Sequence, residues 1–147
     1  MLAAAAGLLV VSFLTWYEVD IAKIEGGRAV VQRYVDQQDF ATSANAWEPW
    51  GLPADLVLLA VIVAGIALPA ATLAGLLRGL GPALGAIVTG ALGTALVLLH
   101  VVEPPQPSEI VSAQLAAWLG LLCCVVMLGG AFVWWDRTAH PPDASAG

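Results

Sequence analysis

A chain of 147 residues with 60% hydrophobic and only 11% charged residues, and a mean hydropathy of +0.87, lies far from soluble-domain usage of about 25% charged residues. It reads as one integral membrane domain over 1–138, all-α in class. The net charge of −6, with five basic residues scattered at Lys23, Arg28, Arg33, Arg78 and Arg137, leaves no cluster able to neutralise phosphates and excludes nucleic acid as an expected partner.

The run 1–14 is apolar and, with Thr15 and Trp16, covers about 24 Å at helical rise. A cleaved signal peptide would need a basic leader and a small-residue cleavage site. This run has no basic leader, and Trp16-Tyr17 follows it, so a retained first span over about 1–16 is expected. The segment 18–53 is the expected outer loop. It carries six acids (Glu18, Asp20, Glu25, Asp36, Asp39, Glu48) against three bases and must lie in water. Tyr17, Val19 and Ile21 alternate with Glu18 and Asp20, a period of two that predicts a short extended piece leaving the membrane. Beyond Gly26-Gly27, Val30, Val31, Tyr34 and Val35 share one side of a helical wheel, with Gln32, Arg33, Asp36 and Gln37 on the other. A short amphipathic helix packed on the bundle is expected there.

The second span, 54–77, is the clearest in the chain, because the 22 residues 56–77 carry no charge and cover roughly 33 Å against a bilayer core of about 30 Å. Pro53 and Asp55 suit its first turn, where proline loses no needed donor and a carboxylate faces unpaired amides. Pro69 predicts a kink, and 75–82, rich in glycine, predicts a tight turn. The third span, 82–102, carries Gly81, Gly85, Thr89 and Gly93 at four-residue spacing. A matching stripe, Ser112, Ala116, Gly120 and Cys124, runs along the fourth span, 110–135. Small residues so placed let backbones approach closely where lipid gives no hydrophobic drive. The tail 139–147 is expected to be disordered.

Candidate polar residues are few. Asp55 reads first as a helix-start carboxylate, and His100 with Glu103 as wetted residues at the end of the third span. One histidine with Glu103 and Glu109 nearby falls short of the three or four donors of a zinc site, so no metal or other cofactor is expected. Cys123 and Cys124 are adjacent; neighbouring cysteines seldom bridge, because a disulfide's usual Cα separation exceeds their spacing. They do not form the Cys-x-x-Cys pair of membrane thiol oxidoreductases, and the spans contain no Ser/His, paired-Asp or His-Glu-x-x-His arrangement. The expectation is therefore a non-enzymatic protein.

Orientation rests on the short loops. Arg78 alone is charged between spans two and three, while the next turn holds Glu103 and Glu109 without a base, which places the first inside and both termini in the cytoplasm of a multi-pass cell-membrane protein. Trp16, Trp47 and Trp50 form the expected outer belt and Trp134-Trp135 the inner one, leaving Trp118 within a span.

Phe13-Leu14-Thr15-Trp16-Tyr17 at the end of span one and 46–56, Ala-Trp-Glu-Pro-Trp-Gly-Leu-Pro-Ala-Asp-Leu, at the start of span two resemble small uncharacterised four-span membrane proteins of high-GC actinobacteria. The resemblance implies a four-helix bundle in the cell membrane and no particular chemistry. A fainter likeness to claudin-type proteins, through Trp50-Gly51-Leu52, lacks their final Trp and their loop cysteines and is not adopted. The expected function is association with a membrane-protein partner or a second copy. The alternative is a small proton-linked or solute transporter with Asp55, His100 and Glu103 in an outer vestibule, although transporter sites usually lie near the midplane. Flux in proteoliposomes that vanishes in Asp55→Asn would separate the two.

Overall fold

Helix-forming apolar runs dominate the chain, and the computed structural model, which describes residues 1–19, 43–49, 51–103 and 111–140, is accordingly mostly helical. In chain order the elements are α1 (Leu2–Val11), β1 (Tyr17–Val19), β2 (Ser43–Ala44), α2 (Leu52–Leu73), α3 (Leu80–Val102), β3 (Val111–Ala113) and α4 (Leu115–Ala139). Helices α2, α3 and α4, of 22, 23 and 25 residues, are long and apolar enough to cross a membrane. Helix α1 has 10 residues, about 15 Å at helical rise and half of a bilayer core of about 30 Å, so it falls short of the first span expected over about 1–16 because the chain leaves the helix at Ser12 to reach the sheet. The amphipathic helix expected near 30–37, like Trp50 and the tail 141–147, lies outside the described residues.

Helix α2 starts at Leu52 with proline next to the cap and Asp55 in its first turn, as the missing proline donor and the helix dipole favour. It runs on through Pro69 and stops at Leu73, four residues before the end of the charge-free run. The stop is a Schellman turn. Gly75 takes a φ of 73°, its N–H donates to Thr72 O at 3.0 Å, and Leu76 N–H donates to Ala71 O at 2.9 Å. Those bonds satisfy carbonyls that the helix would otherwise leave open.

Close approaches fix how the helices run. Val61 of α2 meets Gly93 of α3, and Leu68 meets Gly85, so α2 and α3 are antiparallel. Gly90 of α3 lies against Leu128 of α4 and Gly93 against Cys124, which makes that pair antiparallel too. Helix α1 lies along both α2 and α4, with Ala5 and Met127 both meeting Gly65. Ala5, Leu8, Leu58, Ile62, Val97, Cys124 and Met127 form the core of this packing.

The class is not purely helical. β1 is the centre of a three-stranded sheet in the order β2-β1-β3, antiparallel to both neighbours, with Glu18 opposite Ser43 and Ser112 and Tyr17 opposite Ala44 and Ala113. The alternation around Tyr17 predicted the extended piece; the sheet it joins was not expected. β3 occupies residues assigned to the start of the fourth span, so α4 begins at Leu115. Trp118, expected inside a span, is therefore in the first turn of α4, 54% exposed, at the same end as the sheet. An interfacial level suits a ring with one polar edge.

Candidate functional site

Where α1 ends and the sheet begins, buried side chains and backbone groups from several elements bond one another. Ser12 caps α1 from a buried position: its N–H donates to Leu8 O and its hydroxyl to Leu9 O at 2.7 Å. The same hydroxyl oxygen accepts from Trp47 Nε1 at 3.1 Å. Asn45 Oδ1 accepts from Trp47 N–H at 2.8 Å, an Asx turn that fixes the backbone approaching α2. Phe13 rests on Trp47 with ring centroids 5.9 Å apart.

Trp16 is the hub. It is fully buried, and its indole N–H donates to Val11 O at 2.7 Å, which meets the requirement that a buried donor find a partner. Its backbone N–H donates to Ala44 O at 2.9 Å, and its carbonyl accepts from Gln114 N–H at 2.7 Å. The ring lies over Gly120, where a Cβ would stand 2.6 Å from the ring edge. One residue on, Tyr17 donates its hydroxyl to His100 O at 3.1 Å. Two neighbouring aromatics thus tie the end of α1 to the sheet, α3 and α4. Trp16, expected in an outer belt, is instead a core residue with no surface to offer a membrane interface, and the half-buried Trp47 bonds the Ser12 side chain.

The expected packing residues differ in what they meet. Gly93 is closely packed, a Cβ there standing 2.7 Å from Val61 Cγ1 and 3.4 Å from Cys124 Sγ. Gly120 carries the Trp16 ring, and Ala116 is buried nearby at 8% exposure. Gly85 has ordinary contact with Leu68 at 3.5 Å, and Thr89 donates its hydroxyl to Gly85 O at 2.8 Å. Gly81 has nothing within 4 Å of a built Cβ. Ser112 is not on a helix; it sits in β3, its hydroxyl 3.4 Å from Glu18 O. At Gly90, which the four-residue stripe passed over, the facing atoms are the backbone of another helix: a Cβ there would lie 2.8 Å from Leu128 Cα and 3.0 Å from its N.

The polar candidates are at the sheet end. The α2–α3 pairing sets Asp55, in the first turn of α2, level with the last turn of α3, which holds His100; Glu103 follows as its exposed cap. His100 Nδ1 bonds Leu96 O at 2.8 Å. Asp55 Oδ1 is buried and has no hydrogen-bond partner among the described residues. Among those residues no three His, Cys, Asp or Glu side chains group closely enough to hold a metal ion.

Scans against protein-family models, curated proteins and solved structures each found no match.

Proposed function

We propose that the chain is a multi-pass cell-membrane protein, a four-helix bundle in which α2, α3 and α4 cross, the shorter α1 packs beside them, and the C-terminus is cytoplasmic. In this reading it performs no chemistry and acts by helix–helix association, as a structural or accessory subunit or as a homo-oligomer. The observation that carries the reading is an apolar groove of about 340 Å³ between α2 and α3, lined by Leu56, Val57, Ala60, Val61, Ala64, Thr89 and Leu92. Ala60 and Ala64 are one turn apart, and the Thr89 hydroxyl is already turned to its own helix. The floor therefore offers small, apolar side chains, the kind that let a neighbouring helix come close in lipid. Beside it Leu84, Val88 and Leu92, four residues apart, are 52%, 51% and 53% exposed and make a ridge of the sort that fills such grooves. A ridge and a groove on one face allow two copies to interlock about a two-fold axis.

Filling the groove tests the reading. The double substitution Ala60→Leu, Ala64→Leu should leave the interior intact, because Ala60 is exposed and Ala64 half-buried. An overpacking cost of about 1–3 kcal/mol at the contact corresponds to association weakened about 5- to 150-fold. Crosslinking in bilayers over a range of protein-to-lipid ratios reads that change. Unaltered assembly of the double variant, or a wild-type protein that is monomeric and purifies without a partner, would contradict the reading.

A further inference from the structure

Val61 of α2 meets Gly93 of α3, and the two helices are antiparallel, so a step along one toward the sheet is a step back along the other. That pairing sets the depth of every residue beside the groove between α2 and α3. Leu92, one residue before Gly93, is level with Ile62, midway between Ala60 and Ala64 of the groove floor. Leu99, six residues beyond Gly93, is level with the residue six before Val61, next to Leu56 at the sheet end of the groove. Leu92 and Leu99 are seven residues apart, which puts them on one face of α3, and they are 53% and 59% exposed. The groove floor and the exposed ridge beside it therefore match in depth, a branched side chain standing at the level of two alanines. Residues 82–99 of α3 carry no charge, and the Thr89 hydroxyl is held by Gly85 O, so neither ridge nor floor brings an unmet polar group to a contact.

We propose that the groove receives α3 of a second copy inserted the same way round, with Leu92 of each copy over Ala60 and Ala64 of the other. This partner rests on the association proposed above and makes it specific. A two-fold axis along the membrane normal carries each residue to its own depth in the neighbouring copy. Mutual filling then requires that ridge and groove lie at one level, and Leu92 and the Ala60–Ala64 floor meet that requirement. A leucine over alanines also lets the two helices approach closely, which is what drives association where lipid offers no hydrophobic gain. Each copy fills the other, so the contact closes at two.

Disulfide crosslinking in bilayers between two differently tagged copies, in a Cys123→Ala, Cys124→Ala background, reads the seam. One copy carries Leu92→Cys and the other Ala60→Cys or Ala64→Cys, positions that are exposed or half-buried. Oxidation should join the two tags at a protein-to-lipid ratio where Leu92→Cys with Leu59→Cys gives no product, because Leu59 is about 100° round α2 from Ala60. Leu99→Cys should likewise pair with Leu56→Cys, and Leu84→Cys should not. A copy inserted the opposite way would exchange the ends of α3 and bring Leu84 there instead, so the reverse pattern would overturn the proposal. Product from Leu59→Cys equal to that from Ala60→Cys and Ala64→Cys would overturn it too, as random collision. Copies that an unselective crosslinker traps together, but in which Leu92→Cys pairs with neither alanine position, would overturn this seam and leave association standing. Copies that no reagent joins, in a protein that purifies without any partner, would overturn both.

Discussion

Gly90→Leu is expected to separate α3 from α4 and abolish the folded state. The atoms facing Gly90 are Leu128 Cα at 2.8 Å and Leu128 N at 3.0 Å, and backbone cannot rotate aside as a side chain can. Even Gly90→Ala should cost about 1–3 kcal/mol through overpacking, offset in part by alanine's better helix propensity. Leucine, with three further carbons, has no such compensation. Gly129, one position from the Leu128 backbone, has nothing within 4 Å, so Gly129→Ala should melt at or above the wild-type temperature. Thermal unfolding in one detergent, followed by circular dichroism, ranks the three variants. A Gly90→Leu protein as stable as wild type would mean that the α3–α4 seam is not as described.

Trp16→Ala should be the most damaging single truncation. It empties a fully buried site and removes the indole bond to Val11 O; large aromatic-to-alanine changes in cores cost about 3–5 kcal/mol. Trp16→Phe should cost less, because Val11 O retains its second donor, Leu14 N–H at 3.0 Å. The ring's place over Gly120 gives a sharper test. Gly120→Ala alone should be destabilising, since its Cβ would meet the ring at 2.6 Å. In a Trp16→Leu background the same change should be tolerated. That non-additivity is the signature of direct contact, and additive effects on the unfolding midpoint would show that the ring lies elsewhere.

The uncharged run 56–77 and the Pro53-Asp55 start made α2 readable from sequence, and the alternation around Tyr17 made β1 readable. The glycine stripe was readable only in part, for a geometric reason. At about 100° per residue, a four-residue step overshoots a full turn by about 40°. Gly81, Gly85, Thr89 and Gly93 therefore wind around α3, and only the last reaches the interior. The buried residues of α3 are Ala83, Ala86, Gly90, Gly93, Val97 and Val101, alternating three and four before a final step of four, and that series selects Gly90. Nothing local announces β3, whose pairing with β1 spans more than ninety residues of chain, and a strand of three residues carries too little pattern to separate from a helix start. The roles of Trp16 and Ser12 were hidden because an aromatic at the end of an apolar run reads as an interfacial anchor even when, as here, the ring is buried in the core.

The central claim is that α2, α3 and α4 cross the membrane with the sheet at the outer face and the Arg78 and Arg137 turns inside. Single cysteines placed at Ser43, Glu103, Leu77 and His140, in a Cys123→Ala, Cys124→Ala background, test it with a membrane-impermeant thiol reagent on intact cells. All four positions lie outside the buried interior. Ser43→Cys and Glu103→Cys should react, and Leu77→Cys and His140→Cys should react only after permeabilisation. Labelling of Leu77→Cys and His140→Cys with protection of the other two would invert the orientation, and labelling that divides Ser43→Cys from Glu103→Cys would contradict the crossing pattern itself.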